Sequence, residues 1–144
     1  MRIEIKRGFW LTAAALLLLD RRGVAPPFLL AAALHEAGHL AALRALRIPV
    51  FALELGAAGA VIRAGLRGEP REARALAAGP AVNLLLAACF CSSRPLFALC
   101  NLSLGLWNLL PLPRRDGGAL LRLAREARRQ KKQRNPLAKT QEGW

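Results

Sequence analysis

Four apolar blocks separated by short arginine-rich joints restrict this chain to few folds. They run from Gly8 to Leu19, from Val24 to Leu46, from Ala73 to Cys91 and from Pro95 to Leu112. The chain is 54% hydrophobic and yet carries a net charge of +13. Those properties coexist only if the charges stand apart from the apolar segments, as they do here. The pattern is that of a small multi-span membrane protein. The expected fold class is an all-α membrane protein of about four transmembrane helices, with a short membrane-reentrant β-hairpin after the second. A length of 144 residues leaves room for one domain, read as a core over 1–121 and a basic cytoplasmic tail over 122–144.

The first block is twelve residues long, short of the roughly 20 that span a bilayer. Arg2, Lys6 and Arg7 before it resemble the flank of a signal peptide, but Asp20-Arg21-Arg22 follows instead of a small-residue cleavage site. It reads as an uncleaved first helix. In the second block, Pro26 and Pro27 suit a first helical turn, where a missing N–H costs little. Between the second and third blocks, IPVFALELGAAGAVI (48–62) is β-branched and aromatic, then small, then apolar again. That is a hairpin about Gly56–Gly59, too apolar for a soluble loop. Non-helical backbone in a membrane needs protein cover or a wet cavity. Cys89, Cys91 and Cys100 lie in apolar stretches without a CxxC and read as packing groups.

The stretch from Arg122 to Lys139 carries eight basic residues. It lacks the aromatic interleaving of a nucleic-acid module, which argues against nucleic acid as a partner. Beside membrane spans it reads as an anchor on anionic headgroups of the lipid bilayer. It also sets orientation: both termini cytoplasmic in a multi-pass protein of a bacterial cytoplasmic membrane, with Arg21 and Arg22 outside against the trend.

The only two histidines, His35 and His39, stand four apart in LHEAGHL (34–40). In a helix they share a face, so both imidazoles can reach one metal ion. Glu36 between them completes H-E-x-x-H, in which the glutamate is the general base of a zinc-dependent hydrolysis. Ionisable side chains inside a membrane segment are costly and are functional candidates by default. A catalytic zinc needs a third protein ligand. Among the acidic residues Asp116 stands out in NLLPLPRRDGG (108–118). Pro111 and Pro113 end the preceding helix, and Gly117-Gly118 allow a tight turn directly after the carboxylate.

Three blocks carry a resemblance to a family. HEAGH (35–39), AGPAVNLLLA (78–87) and NLLPLPRRDGG (108–118) resemble, in order, motifs of the site-2 protease family of intramembrane zinc metalloproteases, peptidase family M50. The resemblance implies one catalytic Zn2+ held by His35, His39 and Asp116, with Glu36 as base. It implies cleavage in or near transmembrane segments of membrane or membrane-associated substrates. Size and the leading segment look most like the sporulation branch, whose substrate is a pro-sigma factor. Asn83 and Asn108 are the side-chain amides expected to hold substrate backbone. An extended substrate is expected to add to the hairpin edge. A regulatory membrane protein or a homo-oligomer is the expected partner. Arg114 and Arg115 depart from the family, which has proline or an apolar residue there; a guanidinium beside Asp116 could pair with the carboxylate and weaken the metal, but the favoured reading is that it snorkels to the cytoplasmic headgroups. The alternative is a non-catalytic membrane protein of the same fold that binds substrates or partners without cleaving them.

Overall fold

The computed structural model describes residues 1–57, 59–66 and 70–134. In chain order the elements are β1 (Arg2–Ile5), α1 (Arg7–Leu19), α2 (Ala25–Ala45), β2 (Val50–Gly56), β3 (Gly59–Ala64), α3 (Pro70–Phe90), α4 (Pro95–Leu109) and α5 (Asp116–Arg134). The four apolar blocks are α1 to α4, and each block boundary follows from local chemistry. Proline occupies the first turn of α2 and of α4. The Asp20 carboxylate accepts from Ala25 N–H at 2.7 Å and Arg22 N–H at 3.1 Å, which caps the entry to α2. Ala25 N–H in turn holds the Asp20 carboxyl below its ordinary value. The α4 helix stops at Leu109, before Pro111 and Pro113.

The hairpin forms as the composition indicates, closed by the Gly56↔Gly59 pair with Gly59 at φ 118°. The all-α expectation requires correction, because β1 adds a third strand. It pairs parallel with β2, Arg2↔Ala52 through Ile5↔Leu55, in the order β1-β2-β3. Arg2-Ile-Glu-Ile alternates with a period of two, a strand pattern that its basic residues disguise as a helix flank. Thus β2 is central, and among the described residues the hairpin's open edge is that of β3.

Glu54 of β2 ties the sheet together. It accepts from Lys6 Nζ at 2.7 Å and pairs with Arg63 of β3. Arg63 first, then Lys6, holds the Glu54 carboxyl down at about 2, against an ordinary 4.5. A lowered folded-state value means that the pairing stabilises fully above the unfolded value. The contribution fades as pH falls from about 4.5 to about 2. Hydrogen exchange of the Leu53–Leu55 amides, corrected for intrinsic rate, should show protection falling through that window and no such fall in Glu54→Gln.

The α2 helix packs on α3 and α4, and α5 folds back on α3 and α4. A small apolar cluster of Leu43, Ile48 and Ala75, with Val50 and Ile62 against it, joins the end of α2 to the hairpin and to α3. Elsewhere the usual polarity is inverted. Among the described residues the largest fully buried side chains are Asn83, Asn101 and Pro80. Leu18 of α1 is 85% exposed and Leu99 of α4 is 59% exposed, among many apolar neighbours. Cys100 is buried, whereas Cys89 and Cys91 are exposed. One described helix, over Arg71–Phe90, is long and apolar enough to cross a membrane. α1 and α4, of 13 and 15 residues, are apolar but shorter. The basic stretch is helical through Arg134: α5 starts at Asp116 and crosses 121/122 without a break.

Candidate metal centre

His35 and His39 lie one turn apart on the buried side of α2, 4% and 8% exposed. Their rings stand at 84° to one another with centroids 4.7 Å apart. His39 Nδ1–H donates to the Ala75 carbonyl of α3 at 2.8 Å. A carbonyl only accepts, so the His39 proton sits on Nδ1 and Nε2 keeps a lone pair. His35 Nδ1–H donates to Asn83 Oδ1 at 2.5 Å, with the same consequence for its Nε2. The two Nε2 atoms are 3.1 Å apart. Asp116 Oδ2 closes the triangle, 3.1 Å from His35 Nε2 and 3.3 Å from His39 Nε2.

Three electron-pair donors converging on one point repel each other unless a cation lies between them. The spacing has a natural length. Ligand bonds of 2.0–2.1 Å in a tetrahedron put neighbouring donor atoms about 3.3 Å apart. The three observed edges match that figure, so the residues fit a tetrahedral ion with one vertex left open. Among the described residues His35, His39 and Asp116 form the group able to hold a metal. Glu36, half-buried beside it, makes no hydrogen bond to described residues but is close enough to feel both imidazoles and Asp116 electrostatically. A carboxylate near the group, yet outside the three converging donors and without a hydrogen bond among the described residues, suits a base rather than a ligand.

Glycines make this convergence sterically feasible. A Cβ on Gly79 would enter the His39 imidazole, and one on Gly38 would stand 2.9 Å from Val82 Cγ2. Thus α2 and α3 cross where neither has a side chain. A Cβ on Gly117 would collide with the Leu109 carbonyl, and one on Gly118 with the Leu112 carbonyl. The paired glycines therefore let the first turn of α5 sit on the end of α4, which brings Asp116 back to the histidines. Arg114, at φ 64°, supplies the left-handed step in that return. Gly79→Ala is expected to displace His39 and lower metal affinity at least about 100-fold, on the scale of losing a ligand's support or more. Equilibrium competition with a chelator measures it, and the folded state is checked by circular dichroism.

Other expected site residues are placed differently. Asn83 is fully buried and has no free hydrogen, since Nδ2 donates to the Ala31 carbonyl at 3.1 Å and to Asn101 Oδ1 at 2.8 Å. It holds a histidine, and substrate backbone has no access to it. Asn108 Nδ2 donates to the Leu104 carbonyl, and its Oδ1 accepts from Arg115 at 3.4 Å. The Arg115 guanidinium lies over the Trp107 ring, 5.1 Å from its centroid. It is therefore turned to α4 and leaves the Asp116 carboxylate to the imidazoles. Asn101 was not foreseen, although a polar side chain inside an apolar block is the same signal that marks the histidines.

The sequence profile of peptidase family M50 matches residues 92–141, which include α4 and Asp116. A search of curated proteins finds no match. The fold is similar to that of a site-2 protease from Methanocaldococcus jannaschii, with a TM-score of 0.69 and 24% identity. The alignment covers 83% of this chain and 65% of that one, so the present chain spans somewhat less than two thirds of its relative. The profile match thus falls on the segment that carries Asp116, and the fold is similar to that of a site-2 protease.

Proposed function

We propose that this chain is an intramembrane zinc metalloendopeptidase acting on peptide bonds in or near transmembrane segments. The observation that carries the reading is the meeting of His35 Nε2, His39 Nε2 and Asp116 Oδ2 within one tetrahedral face, near a Glu36 that makes no hydrogen bond among the described residues. When bound there, a zinc ion supplies Lewis acidity, which polarises a carbonyl and acidifies a water. The chain's own residues supply the rest. Asn83 and Ala75 fix the two imidazoles, and Asp116 provides the negative charge. A Glu36 carboxylate oxygen takes the water's proton and hands it to the departing amide nitrogen.

A helical substrate shields its own peptide bonds, so it must unwind before cleavage. The edge of β3, unpaired among the described residues, offers backbone to an extended segment, and strand addition there fixes its register. The inverted distribution of polarity supports a membrane setting, with exposed leucines on α1 and α4 facing lipid and the asparagines inside. In this setting α1 to α4 are four spans, the hairpin is re-entrant, and both termini are cytoplasmic. The basic face of α5 then rests on anionic headgroups. A membrane-associated regulator such as a pro-sigma factor is the proposed substrate class, with a membrane partner or a second copy completing the assembly.

The purified protein in detergent should contain one zinc and cleave a model transmembrane substrate. A chelator should abolish cleavage, and added zinc should restore it. Stoichiometric zinc without cleavage of any transmembrane substrate would favour a binding protein of the same fold.

A further inference from the structure

A side-chain amide can usually be turned either way round, but the two buried asparagines here cannot. The Phe97 carbonyl only accepts, so the Asn101 group facing it at 2.9 Å is the NH2. The Asn101 oxygen is thereby turned towards Asn83 and accepts from its Nδ2 at 2.8 Å. The Ala31 carbonyl, another pure acceptor, takes the second Asn83 hydrogen at 3.1 Å. With both hydrogens committed, Asn83 can show His35 only its oxygen. His35 must then carry its proton on Nδ1, which leaves the Nε2 lone pair aimed at His39 and Asp116.

We infer that Asn101 is a positioning residue, which through Asn83 fixes the proton on His35 Nδ1 and so presents Nε2 to the metal position. The two ligands are thus secured by different means. His39 is held by a backbone carbonyl, which cannot be turned. His35 is held by a relay of side chains across α2, α3 and α4, whose direction is set by carbonyls at its ends. Without Asn101 the Asn83 Nδ2 group keeps only the longer of its two bonds, that to Ala31, in a fully buried site where a lost hydrogen bond is costly. The metal consequence rests on the metalloprotease reading, whereas the proton placement does not.

The test uses 15N-histidine-labelled protein in micelles, with and without zinc. Because the chain has two histidines, His39 is an internal control. In Asn101→Leu the His35 Nδ1–H proton should exchange at least about tenfold faster and zinc affinity should fall about tenfold, with the His39 proton unchanged. Asn101→Asp should restore both, since a neutral carboxyl group of the same shape donates its O–H to the Phe97 carbonyl and accepts from Asn83 through its other oxygen. Should Asn101→Leu not fold, Asn101→Ala is read in the same way. Unchanged exchange at His35 in a folded variant lacking the amide overturns the inference. A wild-type protein that takes up no zinc, but shows the stated proton behaviour, sinks the metalloprotease reading and leaves the relay standing.

Discussion

Glu36→Gln is expected to keep one zinc per chain and to lose proteolysis by at least about 10³-fold, within the range of a general base's contribution. Glu36 stands beside the three converging donors without being one of them. A glutamine is the same size and leaves His35, His39 and Asp116 in place, so metal binding should persist. Its amide oxygen cannot take a proton from water at neutral pH, so the chemical step should stop. Zinc stoichiometry and substrate cleavage must be measured on the same preparation. Zinc lost together with activity would make Glu36 a ligand and remove the base from the scheme.

Asp116→Asn should act differently, with zinc affinity and activity falling together. The substitution removes the single negative charge among the three donors and replaces it by a neutral amide. The loss of affinity should exceed the 10–100-fold typical of residues that merely support a ligand. Asp116→Glu should keep part of the affinity but little activity, because one added C–C bond shifts the carboxylate by about 1.5 Å. Wild-type activity in Asp116→Ala with zinc still bound would refute the ligand set. Glu54 is no substitute ligand, since Lys6 and Arg63 already hold it in the sheet.

These predictions draw on information of two ranges. The histidine pair and its glutamate were legible in the sequence because an α-helix places positions four apart on one face whatever surrounds it. The ends of α2 and α4 were legible because proline acts within one turn of itself. The hairpin was legible because its small-residue turn lies between two β-branched runs. β1 was not, because four residues carry too short an alternation to outweigh their charges, and only pairing with β2, some fifty positions away, gives them a strand's hydrogen bonds. Asn83 and Asn108 illustrate the same limit. The sequence marks a polar amide in an apolar block, but the neighbour that claims the amide decides its role. Asn83 is claimed by His35 and Asn101, and Asn108 by Leu104 and Arg115.

By itself, then, the sequence determined which side chains can supply metal chemistry and on which local elements they stand, since spacing, caps and breakers act over a few residues. The crossing of α2 and α3 at Gly38 and Gly79, and the seating of Gly117 on the end of α4, were decided only by the tertiary structure. So were the return of Asp116 across 81 residues to His35 and the direction of each proton around the histidines. Convergence of that kind depends on backbones approaching closely and on which fixed carbonyl meets which ring, and neither is encoded in local spacing.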